Sequence, residues 1–379
     1  MNTASASSMS LKPLLASLFL AAALTAAGAA TEQAPTPGAP HYVFSYFYGD
    51  ARQNEGLHLA TSTDGLAWTP VANDAVLFHP GFGTRFRDPS LVRDPDGKRI
   101  HMVWTTETPN AFGFATTTDL IHWTDVREIP VMAPIPGTIN TWAPELFWDT
   151  PRQRWITYWG SSVEGRFPET AKLSTNPKAN NRMYYATSPD LRTWSAPQLL
   201  ADFGFPSNDA YLLATPGNLT GEYALFVKHI VKPGSLARLQ LAFAAADPLG
   251  PFKLTDEIVS ADYAFCEGPS VIRIGDFSYC YFDLSNQHRL AVTRSPQIGG
   301  APWEDLTPRL TLPPGAKHGT ILTIDDATAV ELRAFKKRKQ QSFSPACSSR
   351  VTSTQRIPAR SRRLAGGSRL AYGLRCTPP

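Results

Sequence analysis

Cysteine is scarce in this chain: four residues in 379, Cys266, Cys280, Cys347 and Cys376, with no Cys-x-x-Cys pair. That pattern excludes a disulfide framework and a cysteine-based metal site. A hairpin turning at Gly275-Asp276 sets Cys280 opposite Val271, so Cys266 and Cys280 are expected to be free thiols in the core. No cysteine lies in the first 40 residues, which argues against a lipoprotein anchor, and no later apolar stretch is long enough to cross a membrane. Acidic residues are missing from Arg333 to Pro379, where 12 basic ones stand, so residues 1–332 carry a net −8 against +4 for the whole chain. A nucleic-acid binder carries its positive charge on the folded surface, so that partner class is set aside.

At the other end, Lys12 precedes an apolar run from Pro13 to Leu24, followed by the small residues Ala26 to Ala30. This is the pattern of a secretory signal peptide over residues 1–30, and the product is expected to be secreted or periplasmic. Residues 333–379 are rich in Ser, Arg and Pro without periodicity, and are expected to form a basic disordered tail. Residues 31–332 remain as the folded body.

One signature recurs through that body: Thr61-Ser62-Thr63-Asp64-Gly65-Leu66-Ala67-Trp68, Thr116 to Trp123, Thr187 to Trp194, and degenerate copies ending at Phe252 and Trp303. Before each copy lie short β-rich runs separated by turn residues, such as Ser90 to Arg93, Asp94-Pro95-Asp96-Gly97, then Ile100 to Thr105. A unit of about 60 residues repeated five times predicts an all-β fold, a five-bladed β-propeller. The N-terminal strands His41 to Tyr48 and Gly56 to Ser62 have no innermost partner before them. Lys317 to Ile324 supplies one, so the two ends of the chain are expected to close one blade. The signature residues Trp68, Trp123, Trp194 and Trp303 are expected in the core.

The innermost strands begin with Arg87-Asp88-Pro89-Ser90, Trp142-Ala143-Pro144-Glu145, Asn208-Asp209-Ala210, Cys266-Glu267-Gly268-Pro269 and Lys317-His318-Gly319-Thr320. Taking Asp88, Glu145, Asp209, Glu267 and His318 as equivalent positions puts four carboxylates and an imidazole around one mouth. Like charges so placed raise one another's pKa, and function is the reason to tolerate that cost. The chemistry suggested is glycoside hydrolysis, which needs a protonated carboxyl for the leaving oxygen and an ionised carboxylate opposite.

These motifs, with the repeated Ser/Thr-x-Asp-Leu-x-x-Trp, resemble glycoside hydrolase family 43 over roughly Tyr42 to Ile324. The resemblance implies a five-bladed inverting enzyme acting on pentose-containing oligosaccharides or polysaccharides, as β-xylosidases and α-L-arabinofuranosidases do. It implies that Asp88 is the general base, that Asp209 raises the acid's pKa, and that Glu267 is the general acid. Glu145 stands where many members have Trp-Ala-Pro-Asp and is assigned to substrate binding. His318 resembles a final-blade histidine that in some members lies beside a central calcium or other ion; the chemistry itself requires no cofactor, and no metal ligand set is assigned. Two features depart from the family pattern: Asn208-Asp209-Ala210 replaces an Asp-Pro, and the basic tail has no family counterpart. Further substrate contacts are expected from Arg87, Trp104, Trp142, Arg166, Phe167, Tyr211 and His318. The protein is expected to act as a monomer.

Two alternatives stand beside this reading. A fructan-acting propeller glycosidase shares an Arg-Asp-Pro, but its first-blade Asn-Asp-Pro-Asn segment is missing here. A carbohydrate-binding propeller without catalysis predicts sugar binding that Glu267→Gln leaves unchanged.

Overall fold

A computed structural model of the protein describes residues 40–49, 56–173, 180–232, 236–260 and 262–335. Residues 1–30, expected to be a signal peptide, together with Cys347, Cys376 and the tail beyond residue 335, lie outside these.

The described chain is a five-bladed β-propeller. It opens with β1 (His41–Tyr48), β2 (His58–Ser62) and β3 (Thr69–Pro70). Blade 1 follows as β4 (Arg87–Arg93), β5 (Ile100–Thr105), β6 (Phe112–Thr117) and β7 (Trp123–Ile129), and blade 2 as β8 (Trp142–Asp149), β9 (Arg154–Ser161), β10 (Arg182–Ser188) and β11 (Gln198–Ala201). Blade 3 holds β12 (Tyr211–Ala214), β13 (Tyr223–Lys232), β14 (Leu236–Ala244) and β15 (Lys253–Ile258). Blade 4 holds β16 (Cys266–Ile274), β17 (Phe277–Leu284), β18 (Arg289–Ser295) and β19 (Glu304–Asp305). Each is an antiparallel meander. The closing blade forms as expected: β20 (Ala316–Lys317) and β21 (Ile321–Ile324) both pair with β1.

Five apolar clusters hold the ring together, one at each junction between neighbouring blades. Period-two alternation explains how one strand serves two of them. In β5, Ile100, Met102 and Trp104 face the closing blade, while Val103 faces blade 2. In β1, Val43 and Phe47 face blade 1, and Tyr42, Phe44, Tyr46 and Tyr48 face blade 4. Cys280 stands opposite Val271, and both it and Cys266 are buried free thiols.

The recurrent signature is a turn. Asp64 Oδ1 accepts from the backbone N–H of Leu66 and Ala67 at 2.8 and 2.9 Å, Asp119 Oδ1 from Ile121 and His122 at 2.9 and 2.7 Å, and Asp190 Oδ1 from Arg192 and Thr193 at 2.8 and 2.7 Å. Trp68, Trp123, Trp194 and Trp303, which end four of the five copies, then pack into junction clusters.

A short helix, α1 (Asp326–Ala334), follows the last strand; Asp325 caps it by accepting from Thr328 N at 2.7 Å. Its Ala329 and Leu332 are buried at the junction of the closing blade and blade 1. The helix thus runs two residues past the boundary at 332 read from the sequence, because Leu332 anchors its last turn.

Candidate active site

The site is built where β4, β8, β12 and β16 begin. Register shifts fall between Arg87 and Ser90, Trp142 and Glu145, and Glu267 and Ser270, so β4, β8 and β16 each carry a bulge at the motif. Within the bulges Asp88, Ala143 and Gly268 have φ of 54°, 45° and 61°, and Asp209 at the start of blade 3 has φ of 53°. Positive φ is uncommon outside glycine and costs roughly 1–3 kcal/mol per residue, a strain characteristic of functional sites.

These conformations redefine which positions correspond. Asp88, Ala143, Asp209 and Gly268 are the structural equivalents, so Glu145 lies two residues past the equivalent place and Glu267 one residue before it. Asp88, Asp209 and Glu267 reach a common pocket of about 180 Å³, also lined by Phe47, Arg87, Trp142, Asn208, Lys228, Asp283, Lys317 and His318. Glu145 does not line it. It is buried behind Asp88, where it accepts from Ser90 Oγ.

Asp88 is fixed on both oxygens. The Thr105 hydroxyl accepts from Ala143 N at 2.8 Å, which directs its own proton to Asp88 Oδ2 at 2.7 Å. His318 Nδ1 lies 3.2 Å from Asp88 Oδ1. Burial alone would raise the Asp88 pKa, but Arg87 and His318 outweigh it and hold this carboxylate well below its ordinary range. His318 is pushed the other way, up to about 9, because the attraction of Asp88 exceeds the cost of burial. Gly268 lets that imidazole approach: a Cβ there would lie 2.4 Å from His318 Cγ.

Lys228, from β13, bridges the other two carboxylates, donating to Glu267 Oε2 at 2.7 Å and to Asp209 Oδ2 at 3.3 Å. Lys317 Nζ stands 3.6 Å from both Glu267 Oε1 and Asp283 Oδ2. Burial raises Asp209, and the Glu267 charge adds to that against the pull of Lys228. Burial also acts on Glu267, but Lys228 and then Lys317 more than cancel it and bring Glu267 down to about 2. The two cations thus favour the ionised form of Glu267, the reverse of the protonated state expected of a general acid. Burial pushes Asp283 up to about 6 and Glu145 up to about 8.

Six residues expected from the sequence line the pocket: Asp88, Asp209, Glu267, His318, Arg87 and Trp142. Arg87 pairs with Glu107 at 3.2 Å, and Trp142 Nε1 donates to the same carboxylate at 3.4 Å, so Glu107 positions both. Trp104 is not a substrate contact. It is fully buried among Phe78, Phe82 and Phe86, because it shares the junction face of β5 with Ile100 and Met102. Arg166 is exposed and donates to the Tyr184 hydroxyl at 3.3 Å, outside the pocket lining. Phe167 lies under the Arg182 guanidinium, and Tyr211 packs at the junction of blades 3 and 4. Lys228, Asp283 and Glu107 were not anticipated. Among the described residues no group of three or more His, Cys, Asp or Glu is arranged to hold a metal ion. Around His318 the carboxylates are interleaved with Lys317, Lys228 and Arg87, which does not fit the six to eight oxygen ligands that calcium takes.

The fold is a five-bladed propeller with three carboxylates from three blades gathered in one pocket, the class of architecture in which propeller glycosyl hydrolase domains fall. The family model described as a probable glycosyl hydrolase domain, related to glycoside hydrolase family 43, matches residues 39–329, and the chain belongs to this family. An α-L-arabinofuranosidase of Bifidobacterium longum subsp. longum is 24% identical over 224 residues, covering 52% of this chain and 20% of the relative; the chain thus spans about a fifth of that relative's length. Among solved structures, a thermostable family-43 glycoside hydrolase superposes with a TM-score of 0.45 at 15% identity, covering 60% of this chain and 74% of that one. An α-L-arabinofuranosidase from Lactobacillus brevis does so with 0.44 at 16% identity, covering 57% and 71%.

Proposed function

We propose that this glycoside hydrolase cleaves the O-glycosidic bonds of pentose-containing oligosaccharides or polysaccharides by inversion, α-L-arabinofuranosides first and β-xylosides second. The observation that carries the reading is the convergence of Asp88, Asp209 and Glu267, from three different blades, on one pocket of about 180 Å³. Pockets that take drug-sized ligands run to roughly 300–1,000 Å³, so this one suits a single sugar ring. The name of the curated relative favours arabinofuranosides.

Asp88, ionised and fixed through Thr105 and His318, accepts a proton from water as that water's oxygen adds to the anomeric carbon. Glu267 gives a proton to the departing oxygen on the opposite side of the ring. Asp209 shares Lys228 with Glu267 and tunes its proton affinity. Trp142 and Arg87 supply a ring face and hydrogen-bond donors to the sugar. Solvent then returns the proton balance between Asp88 and Glu267. We propose, from the signal-like segment at residues 1–30, that this activity works outside the cytoplasm; the cell fraction that holds the protein, and its N-terminal residue there, test this.

The test is hydrolysis of aryl α-L-arabinofuranoside and aryl β-D-xylopyranoside by wild type, Asp88→Asn and Glu267→Gln, with the product anomer read by NMR. Each substitution is expected to lower kcat by about 10²–10⁴-fold, and the first product to have inverted configuration. A wild type inert on both glycosides and on polymeric arabinan and xylan, yet still binding sugar in Glu267→Gln, would put the non-catalytic reading in its place.

A further inference from the structure

Lys228 makes the shortest ion pair among the residues lining the pocket, and it sits where an acid catalyst has to work. Its ammonium is 2.7 Å from Glu267 Oε2, and Lys317 flanks Oε1 at 3.6 Å. Both oxygens of Glu267 therefore face a cation. A protonated carboxyl must point its O–H at the leaving oxygen, and a proton on Oε2 would point at the ammonium instead. Lys228 has a second partner close by, Asp209 Oδ2 at 3.3 Å, so a small swing of its terminal atoms moves it off Glu267 without leaving it unpaired.

We infer that Lys228 is a positioning residue that keeps Glu267 ionised in the free enzyme and yields to the sugar, passing to Asp209 so that Glu267 takes up the proton it then donates. The inference rests on the reading of Glu267 as the general acid. The charged groups around Glu267 are Lys228 from β13, Lys317 from β20, His318, Arg87 from β4, Asp209 and Asp283 from β17. Among the described residues, only the Lys228 ammonium pairs with both members of the Asp209–Glu267 pair. The low proton affinity of Glu267 agrees with this arrangement.

The alkaline limb of kcat/KM reports the acid in the free enzyme, and that of kcat reports it in the complex. In wild type the kcat limb is expected at higher pH than the kcat/KM limb. In Lys228→Met the ammonium is gone, and the kcat/KM limb is expected to rise by about 1–3 pH units, the effect of a neighbouring opposite charge, until the two limbs coincide. Lys228→Arg keeps the charge and restores the separation. Limbs that coincide in wild type, or stay apart unchanged in Lys228→Met, overturn the inference. A second measurement does not depend on turnover: carbon-13 NMR titration of glutamate-labelled protein, with the Glu267 signal assigned through Glu267→Gln. Glu267 should titrate far below the ordinary glutamate range in wild type and within or above it in Lys228→Met; normal titration in wild type rejects the inference, whatever the activity. Where Lys228→Met does not fold, Lys228→Gln, neutral but still a donor, carries the same expectation. Failure of the acid assignment itself appears differently, as full activity in Glu267→Gln.

Discussion

Gly268 shows how little room the site leaves at the level of one residue. It combines φ of 61° with a His318 ring that would lie 2.4 Å from any Cβ. Gly268→Ala is therefore expected to push His318 away from Asp88, removing the charge that helps hold Asp88 ionised. The acidic limb of kcat/KM should move upward toward the ordinary aspartate range, with kcat reduced and the far-ultraviolet circular dichroism unchanged. An unmoved acidic limb would mean that His318 does not tune the base. The same scale shows what could be read from the chain. Asp88, Asp209 and Glu267 stood out because each opens an innermost strand. Lys228 and Asp283 lie inside strands, Tyr223–Lys232 and Phe277–Leu284, and a reading confined to strand starts passes over them. Their signal was nonetheless present, since a lone charge in a strand buried on both faces needs a partner. Trp104 was misplaced although period-two alternation with Ile100 and Met102 already assigned it to the junction face.

At the scale of the element, the signature turns and the bulges do different work at opposite ends of the blades. Each signature aspartate satisfies two backbone N–H groups where the third strand turns toward the fourth, far from the pocket: Thr117 pairs with Ile100, whereas Arg87 pairs with Thr105 at the mouth. Asp119→Ala should cost about 1 kcal/mol, as the loss of a comparable helix cap does. The midpoint of thermal unfolding should fall, while kcat/KM on the aryl glycosides stays at the wild-type value. A loss of activity without loss of stability would contradict this division between ends. The turns were legible because their hydrogen bonds are local and fix the spacing of Ser/Thr, Asp and Trp. The bulges were not, because a register shift depends on the pairing strand, and this is why Glu145 was counted with Asp88 when it belongs two residues further along.

Across the whole molecule, the ring forces the starts of the inner strands onto one axis, and the charges gathered there make stability depend on pH in a definite direction. Glu145 keeps its proton up to about 8 in the folded protein against an ordinary 4.5, and Asp283 up to about 6 against 3.8. For such acids the folded state binds the extra proton, so their contribution is full below the ordinary value and is lost as pH rises through the folded one. His318, raised from 6.5 to about 9, contributes fully below 6.5 and loses its contribution as pH rises toward 9. Asp88 and Glu267 act oppositely: both are held below their ordinary values, so their contributions are present above the usual carboxylate range and lost in acid. The two trends meet on the acidic side of neutrality. The midpoint of thermal unfolding should therefore be highest near pH 5 and decline steadily to pH 9. Glu145→Gln, which keeps the shape and can still accept from Ser90 but has no proton to lose, should flatten that decline between pH 5 and 8 and leave the acid side unchanged. A midpoint that is level or rising between pH 6 and 9 in wild type would show that the buried carboxyl behind Asp88 is not protonated in the folded ring. Glu145 would then be ionised in the folded ring, and His318 would answer to two carboxylates.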